Sequence, residues 1–357
     1  MKIYLKFLSL VFLKSFLFVF SIFFSLVLIL NLLNEIEFFK NLEIGNFYTI
    51  YLSFLNSPSI IFQIFPFIFL ISTQLFFIKL FENNEIQILK YSGLKNSKLI
   101  IIISILTFLI SLFLIFIFYN FSANLKKIYL EFKNQYTSDG EYLAVITKNG
   151  LWIKDIVEKK TNFINASKIN NNFLINTTIT QYDENNIPIK NIFSKSVDIS
   201  TKEWKIINPL IISNNKNEVI ENFIMKSNFD FNKIQTLFSD LTSITILALI
   251  ELRKNYKSLN YSLVDLDIHI HSLIAYPFYL ISMTILSSII MLNSKQFKNS
   301  TLKISLGLFL SVIIYYLNNI FNLMGQTEKI SVIQSIWIPI ILLFLFNSIF
   351  LIKINEK

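Results

Sequence analysis

The chain has 357 residues, of which 54% are hydrophobic and only 15% are charged, and its formal net charge is +9. It contains no cysteine, which excludes disulfides and thiolate metal sites. It has six glycines, and no two of them have the spacing of a phosphate-binding loop, which excludes a P-loop ATPase.

Six apolar stretches, each nearly free of charge, flank a polar segment of about 150 residues, three on either side. They are Ser15–Leu33, Ile60–Ile78, Leu99–Phe118, Leu273–Leu292, Leu302–Leu317 and Ile336–Ile352. A helix of roughly 20 residues crosses the hydrocarbon core of a bilayer, and the short fifth stretch reaches that length when it is extended to Leu323. The sequence therefore predicts an α-helical polytopic membrane protein with six transmembrane helices and one water-facing domain.

The placement of lysine predicts the orientation of these helices. The two chain ends and the two short loops on the same side carry twelve lysines against three acidic residues, an excess equal to the net charge. The opposite side, which includes the polar segment, carries twenty basic and twenty acidic residues. Because lysine excess marks the cytoplasmic face, we expect both termini inside and the polar segment outside. The basic character then reflects contact with anionic membrane lipids, and no nucleic-acid binding is expected.

The polar segment, residues 122–270, has short β-type runs separated by turn residues. The expected strands are Tyr142–Thr147, Leu151–Ile156, Phe173–Gln181, Ile187–Ile192, and a hairpin from Val197–Ser200 to Trp204–Ile207. Their close spacing favours an inserted extracytoplasmic all-β domain of the jelly-roll kind. Apolar residues at helical spacing also predict a short helix within Leu237–Lys254. The chain would thus divide into three helices in 1–121, a β domain in 122–270 and three helices in 271–357.

The loop between the second and third apolar stretches predicts a short helix near residues 84–93. Asn84 is placed to cap it, and Glu85 lies in the first turn, where the helix dipole favours a carboxylate. Ile86 and Leu89 recur at helical spacing and form an apolar edge, and Gly93 is a natural C-terminal stop. Such a helix is either a plain connector or a segment that docks into the groove of a separate ATPase subunit.

Over essentially its whole length the chain resembles the paired lipopolysaccharide-export permeases LptF and LptG. The resemblance rests on the order of three helices, β domain and three helices, on the start Tyr4-Leu-Lys-Phe-Leu, and on Glu85-Ile-Gln-Ile-Leu-Lys-Tyr-Ser-Gly. Gly150-Leu-Trp-Ile-Lys-Asp looks like the LptG version of the first strands, which favours LptG over LptF. Ser272 and Leu273 depart from the family, whose members tend to be basic there.

The resemblance implies a permease subunit of an ABC exporter, with no ATPase site of its own and no cofactor. It implies a cytoplasmic LptB-like ATPase dimer, a homologous LptF-like permease in a heterodimer, and a bitopic LptC-like protein as partners. The substrate would be lipopolysaccharide, extracted from the bacterial inner membrane and passed to a periplasmic β-bridge. The helix near 84–93 would couple to the ATPase through Glu85, Ile86, Leu89 and Gly93.

A substrate of this kind places two demands on the membrane helices. Its acyl chains need large apolar walls, which Phe16, Phe20 and Phe24 on the first helix would supply, although phenylalanine at helical spacing is also typical of packing or lipid-facing surface. Its phosphates need cations near the outer boundary. Lys40 is the candidate on the first helix, and Lys126-Lys127 are alternatives that would otherwise extend to the membrane interface.

The residues leave other classes of function open. A non-transporting scaffold or sensor would use the six helices only to anchor the β domain and would have no ATPase partner. A secondary transporter usually has ionisable residues at mid-membrane, and the apolar stretches contain essentially none. His269 and His271 are spaced so that they could share a metal ion, but no third ligand is evident nearby. The simpler interpretation is that both histidines lie at the membrane interface, where the fourth helix begins.

Overall fold

The chain folds as a helix bundle with an inserted sheet. The computed structural model describes residues 3–40, 46–134, 136, 151–170, 172–184, 187–213, 216–231, 234, 240–258, 262–293 and 300–355. Within these residues six helices are long and apolar enough to cross a membrane, and an antiparallel sheet lies between the third and the fourth along the chain. The predicted class, a polytopic helical protein with an inserted β domain, is confirmed.

The membrane helices extend beyond the apolar stretches because polar turns continue them at one or both ends. The helices are α1 (Ile3–Phe39), α2 (Asn46–Glu82), α3 (Glu85–Tyr91), α4 (Asn96–Phe113), a π-helical segment (Leu114–Tyr119), α5 (Asn120–Asn134), α6 (Ile246–Ser258), α7 (Val264–Leu292), α8 (Ser300–Gln326) and α9 (Val332–Asn355). The third membrane helix comprises α4, the π-helical segment and α5. Residues 122 and 270, the expected limits of the insert, therefore lie inside helices. The chain divides into two compact units: one comprises Met1–Lys126 and Leu263–Lys357, and the other comprises Lys127–Ser262.

Helices α2 and α7 form the centre of the bundle. About 67% of the α2 span and 72% of the α7 span are buried, against 22% for α1 and 11% for α8. Leu70 of α2 packs with Met283, Leu286 and Ile290 of α7 in a buried apolar cluster. The faces of α1 and α8 are left for lipid or for another chain.

Hydrogen bonds fix α7 to three neighbouring helices. Ser287 Oγ donates to Leu70 O of α2 at 2.8 Å, Thr107 Oγ1 of α4 lies 3.1 Å from Thr284 Oγ1, and Asn347 Nδ2 of α9 donates to Ser282 O at 2.8 Å. In hydrocarbon, packing and such bonds hold helices together, because lipid is as apolar as their side chains.

Among the described residues, eight strands form one antiparallel sheet. They are β1 (Leu151–Val157), β2 (Lys160–Asn170), β3 (Phe173–Tyr182), β4 (Pro188–Asp198), β5 (Glu203–Ile207), β6 (Leu210–Ser213), β7 (Lys216–Val219) and β8 (Asn222–Lys226). The order is β1-β2-β3-β4-β5-β8, with β6 paired to β4 and β7. Leu151–Ile156, Phe173–Gln181 and Trp204–Ile207 are strands as expected, whereas Ile187–Ile192 and Val197–Ser200 both overlap the single strand β4, which begins at Pro188 and ends at Asp198. The sequence did not predict β2, and Tyr142–Thr147 lies outside the described residues.

The two ends of this strand order meet through a buried carboxylate. Asp155 of β1 is fully buried and accepts hydrogen bonds from Ser227 Oγ at 2.7 Å and from Asn228 Nδ2 at 2.9 Å, just after β8. Nearby, Trp204 Nε1 donates to Phe229 O at 2.7 Å. The sheet therefore curls like an open barrel, and jelly-roll connectivity stays a prediction.

Residues 237–239 of the helix expected within Leu237–Lys254 lie outside the described residues, and in the described part the α-helix begins after Leu241 and Ile244, which were expected to belong to it. A 3₁₀ turn, Leu241–Ser243, comes first, and the Asp240 side chain caps it by accepting from Thr242 N. Ile244 then has extended backbone, so the α-helix begins only at Ile246 and ends at Ser258. The Asp240 side chain thus stabilises a separate 3₁₀ turn, and the extended Ile244 divides that turn from the α-helix.

Candidate functional site

The loop between the second and third membrane helices contains the predicted short helix, α3. Its C-terminus is as expected: Gly93 has a φ of 82°, and Gly93 N and Leu94 N donate to the carbonyls of Lys90 and Leu89. The predicted cap by the Asn84 side chain is wrong. Asn84 has a φ of 56° and makes no side-chain cap bond, because it forms a left-handed turn at which α2 ends.

The two faces of α3 have different roles. The predicted apolar edge exists, but Ile86 and Leu89 are only 3% and 9% exposed, so they fix the helix to its own chain. On the other face, Ile88 is 64% exposed and Tyr91 is 89% exposed. Glu85 lies partly exposed in the first turn. The exposed apolar side chains of α3 are thus Ile88 and Tyr91. They have the same three-residue spacing as Ile86 and Leu89, so the sequence alone could not show which pair is buried.

The predicted phenylalanine wall is partly a packing surface. Phe16 is buried, and its ring centroid lies 5.0 Å from that of Phe69 on α2. Phe20 is half-buried and stacks on Phe65 at 5.9 Å, and Phe24 stacks on Phe20 at the same distance. Phe16 therefore belongs to the α1–α2 contact in this chain, and a lining role stays a prediction for Phe20 and Phe24.

A different stripe of α1 is open to its surroundings. It forms a shallow groove lined by Phe18, Ser21, Ile22, Ser25, Leu26, Ile29 and Leu30. Its two serine hydroxyls donate to the carbonyls of Leu17 and Ser21 within the same helix, so the groove offers an apolar surface. The sequence did not single out this stripe, because α1 is apolar around its whole circumference.

The candidate cations differ in their contacts. Lys126 Nζ donates to Asn56 Oδ1 at 2.8 Å, and Asn56 Nδ2 donates to the buried Asn31 Oδ1 at 3.0 Å. Lys126 thus belongs to a polar network between helices. Lys40, just past the end of α1, and Lys127 have exposed side chains. Their role toward phosphates stays a prediction.

The structure gives one of the two histidines a defined contact. Tyr119 Oη, in the π-helical segment, lies 2.8 Å from His269 Nε2 of α7 and shares a hydrogen bond with it. Across the described part of the chain, no three histidine or acidic side chains come close enough to hold a metal ion.

Six membrane spans, a β insert after the third and a short helix between the second and third define a polytopic membrane protein with an inserted β domain. The family model described as lipopolysaccharide export system permease LptF/LptG matches residues 8–353. The chain therefore belongs to the LptF/LptG family of lipopolysaccharide export permeases. It is an inner-membrane permease component of an ABC exporter, a component that lacks its own ATPase. A search of curated proteins found no significant match.

Proposed function

We propose that this chain is the LptG-like permease subunit that extracts lipopolysaccharide from the inner membrane and passes it to a periplasmic β-bridge. An LptB-like ATPase dimer on the cytoplasmic side drives the step, and an LptF-like permease completes the membrane part. The observation that carries the proposal is the helix α3, fixed to the chain by buried Ile86 and Leu89, with Ile88 and Tyr91 exposed.

The exposed pair suits a docking contact. An aliphatic and an aromatic side chain on one face of a short helix are the kind of anchor that fills a groove, and a few such residues usually supply most of the binding energy. Because Gly93 and the Asn84 turn define both ends of α3, the helix is short and stiff. A displacement of α3 by the ATPase is therefore transmitted to α2 and α4, the membrane helices on either side of it, whereas a flexible loop would not transmit it. The lysine excess on the same side supports a cytoplasmic position for α3.

The weakly buried helices suit the remaining partners. Helix α8 is 11% buried and α1 is 22% buried, so their apolar faces fit a sister permease and the acyl chains of the substrate. An LptC-like protein would continue the β domain of this chain into the periplasmic bridge.

The test is co-purification of this chain with the candidate ATPase and sister permease. We expect the wild-type complex to be stable, and Ile88→Ser with Tyr91→Ala to weaken ATPase binding at least about tenfold, since truncating a central anchor costs roughly 1–2 kcal/mol or more. Glu85→Ala should keep the complex and reduce lipopolysaccharide-dependent ATP turnover. Lys95→Ala, an exposed change in the same loop, is the matched control and should behave as wild type.

The alternative function makes the opposite prediction. If the wild-type chain captures no ATPase, and changes in α3 leave the cell envelope intact, the six helices only anchor the β domain and the chain is a scaffold or sensor. Capture of the ATPase that is unaffected by Ile88→Ser with Tyr91→Ala would keep the export function and remove α3 as the docking site.

A further inference from the structure

A lysine near the start of α8 is buried at the end of the bundle where α3 lies. Lys303 is only 6% exposed, and its Nζ donates to the Met291 carbonyl at 2.9 Å. Met291 lies in the last turn of α7, where backbone carbonyls have no partner within their own helix and the helix dipole is negative. The buried ammonium thus caps a C-terminal carbonyl of α7, the most buried of the membrane helices.

The same ammonium contacts the end of α2. Lys303 Nζ lies 5.4 Å from the centroid of the Phe81 ring, within the range of a cation–π contact. Phe81 is in the last turn of α2 and is separated from Glu85, the first residue of α3, by only three residues. One side chain therefore joins the last turn of α7, the first turn of α8 and the turn of α2 that carries the short helix.

The backbone of α8 is held against α2 at a second point. Gln74 Nε2 of α2 donates to the Lys303 carbonyl at 3.0 Å. One turn further along α8, Gly307 leaves no free space, since a Cβ added there would lie 2.1 Å from the same Gln74 nitrogen. If the start of α8 moved relative to the end of α2, the Gln74–Lys303 hydrogen bond and the close packing at Gly307 would be lost.

We propose that Lys303 is a positioning residue that transmits displacement of α3 to α8, an inference that rests on the proposed function. Helix α3 is connected to α2 by a two-residue turn, so a push from the ATPase reaches the last turn of α2 first. Lys303 fixes that turn to α8, the membrane span that is least buried within this chain and so has the fewest other attachments to it. Without the ammonium, α8 is held to α2 only through the Gln74 contact and follows the movement of α2 less closely.

The experiment compares Lys303→Met with wild type in the full permease–ATPase complex in lipid nanodiscs. Methionine keeps much of the apolar stem but removes both the donor and the cation. Two quantities are measured together, the ATP hydrolysed and the lipopolysaccharide released to an acceptor. We expect Lys303→Met to hydrolyse ATP and to release at least about fivefold less glycolipid per ATP, the lower bound of typical coupling between sites. Lys303→Arg, which can both donate and stack, should restore most of this ratio.

The controls separate coupling from folding. Lys98→Met removes an exposed lysine on the same side of the membrane and should leave the ratio unchanged. Phe81→Leu should lower the ratio by itself and add little to Lys303→Met, because both changes remove the same contact. If Lys303→Met does not assemble into the complex, the test uses the other two variants: the ratio of glycolipid released to ATP hydrolysed should fall in Phe81→Leu and stay close to wild type in Lys303→Arg.

Each outcome has a definite meaning. A ratio that is unchanged in Lys303→Met, or in Phe81→Leu where the methionine variant does not assemble, overturns the inference. So does an equal fall in Lys98→Met. If the wild-type complex neither binds the ATPase nor releases glycolipid, the proposed function fails, and the inference fails with it.

Discussion

Replacing Gly307 by alanine tests whether the close approach of α2 and α8 is real. A glycine inside a helix is normally unfavourable, so helix propensity alone predicts that Gly307→Ala stabilises the chain by up to about 1 kcal/mol in water. The structure predicts the opposite sign. The new Cβ would lie 2.1 Å from Gln74 Nε2, 2.9 Å from its Cδ and 3.2 Å from Leu70 Cδ2, so the amide must move.

The magnitude follows from what the amide loses. Moving Gln74 breaks its hydrogen bond to the Lys303 carbonyl and leaves its buried NH2 group without an acceptor, which costs roughly 1–3 kcal/mol. Setting the gain in helix propensity against this cost, we expect Gly307→Ala to lower the free energy of unfolding by about 1 kcal/mol.

The assay is equilibrium unfolding of the full chain in mixed micelles. Ser305→Ala, an exposed change two residues earlier on α8, is the matched control and should have an effect close to zero. In a Gln74→Ala background the cost of Gly307→Ala should largely disappear, because the amide is no longer there to be displaced. The reasoning is refuted if Gly307→Ala is neutral or stabilising, or if its cost is the same with and without Gln74.

Three further changes test other parts of the chain. Asp155→Asn should destabilise the sheet by about 2 kcal/mol, because it weakens the buried hydrogen bonds from Ser227 and Asn228. Amide hydrogen exchange just after β8 should then be faster than in wild type, and an unchanged exchange rate would contradict the prediction. The hydroxyl and backbone N–H of Ser200 lower the pKa of the Asp198 carboxyl, so its contribution to stability is present above the usual aspartate range and is lost as pH falls through the depressed value. An NMR titration should show that value rising toward normal in Ser200→Ala. A double-mutant cycle on Tyr119→Phe and His269→Gln should give a coupling energy of about 0.6 kcal/mol, and zero coupling would show that the bond is not formed.

The sequence predicted the parts of this fold that depend on hydrophobic length and on backbone chemistry. Six apolar stretches of membrane length can hardly be anything but helices, and Gly93 ends α3 because only glycine takes its φ without strain. The π-helical segment could not be predicted, because Leu114–Tyr119 has the same apolar composition as the turns on either side. The orientation of α3 was equally hidden, since Ile86 and Ile88 are the same residue type and only tertiary packing decides which is buried.

The polar contacts of the bundle show how the two exposed helices are attached to α2. On α1, Asn31 bonds to Asn56 and, at 3.3 Å, to the Ser57 hydroxyl, in the first third of α2. On α8, the bond from Gln74 and the cation–π contact of Lys303 lie in the last third of α2, next to α3. These anchor points lie at opposite ends of α2, on either side of its proline-containing middle. A tilt of α2 imposed from α3 therefore acts on α8 directly near α3, whereas its polar contacts with α1 lie at the far end of the helix. That arrangement predicts that loss of the Lys303 ammonium reduces the movement of α8 while α1 still follows α2, a difference that distance measurements from spin labels on α1 and α8 would detect.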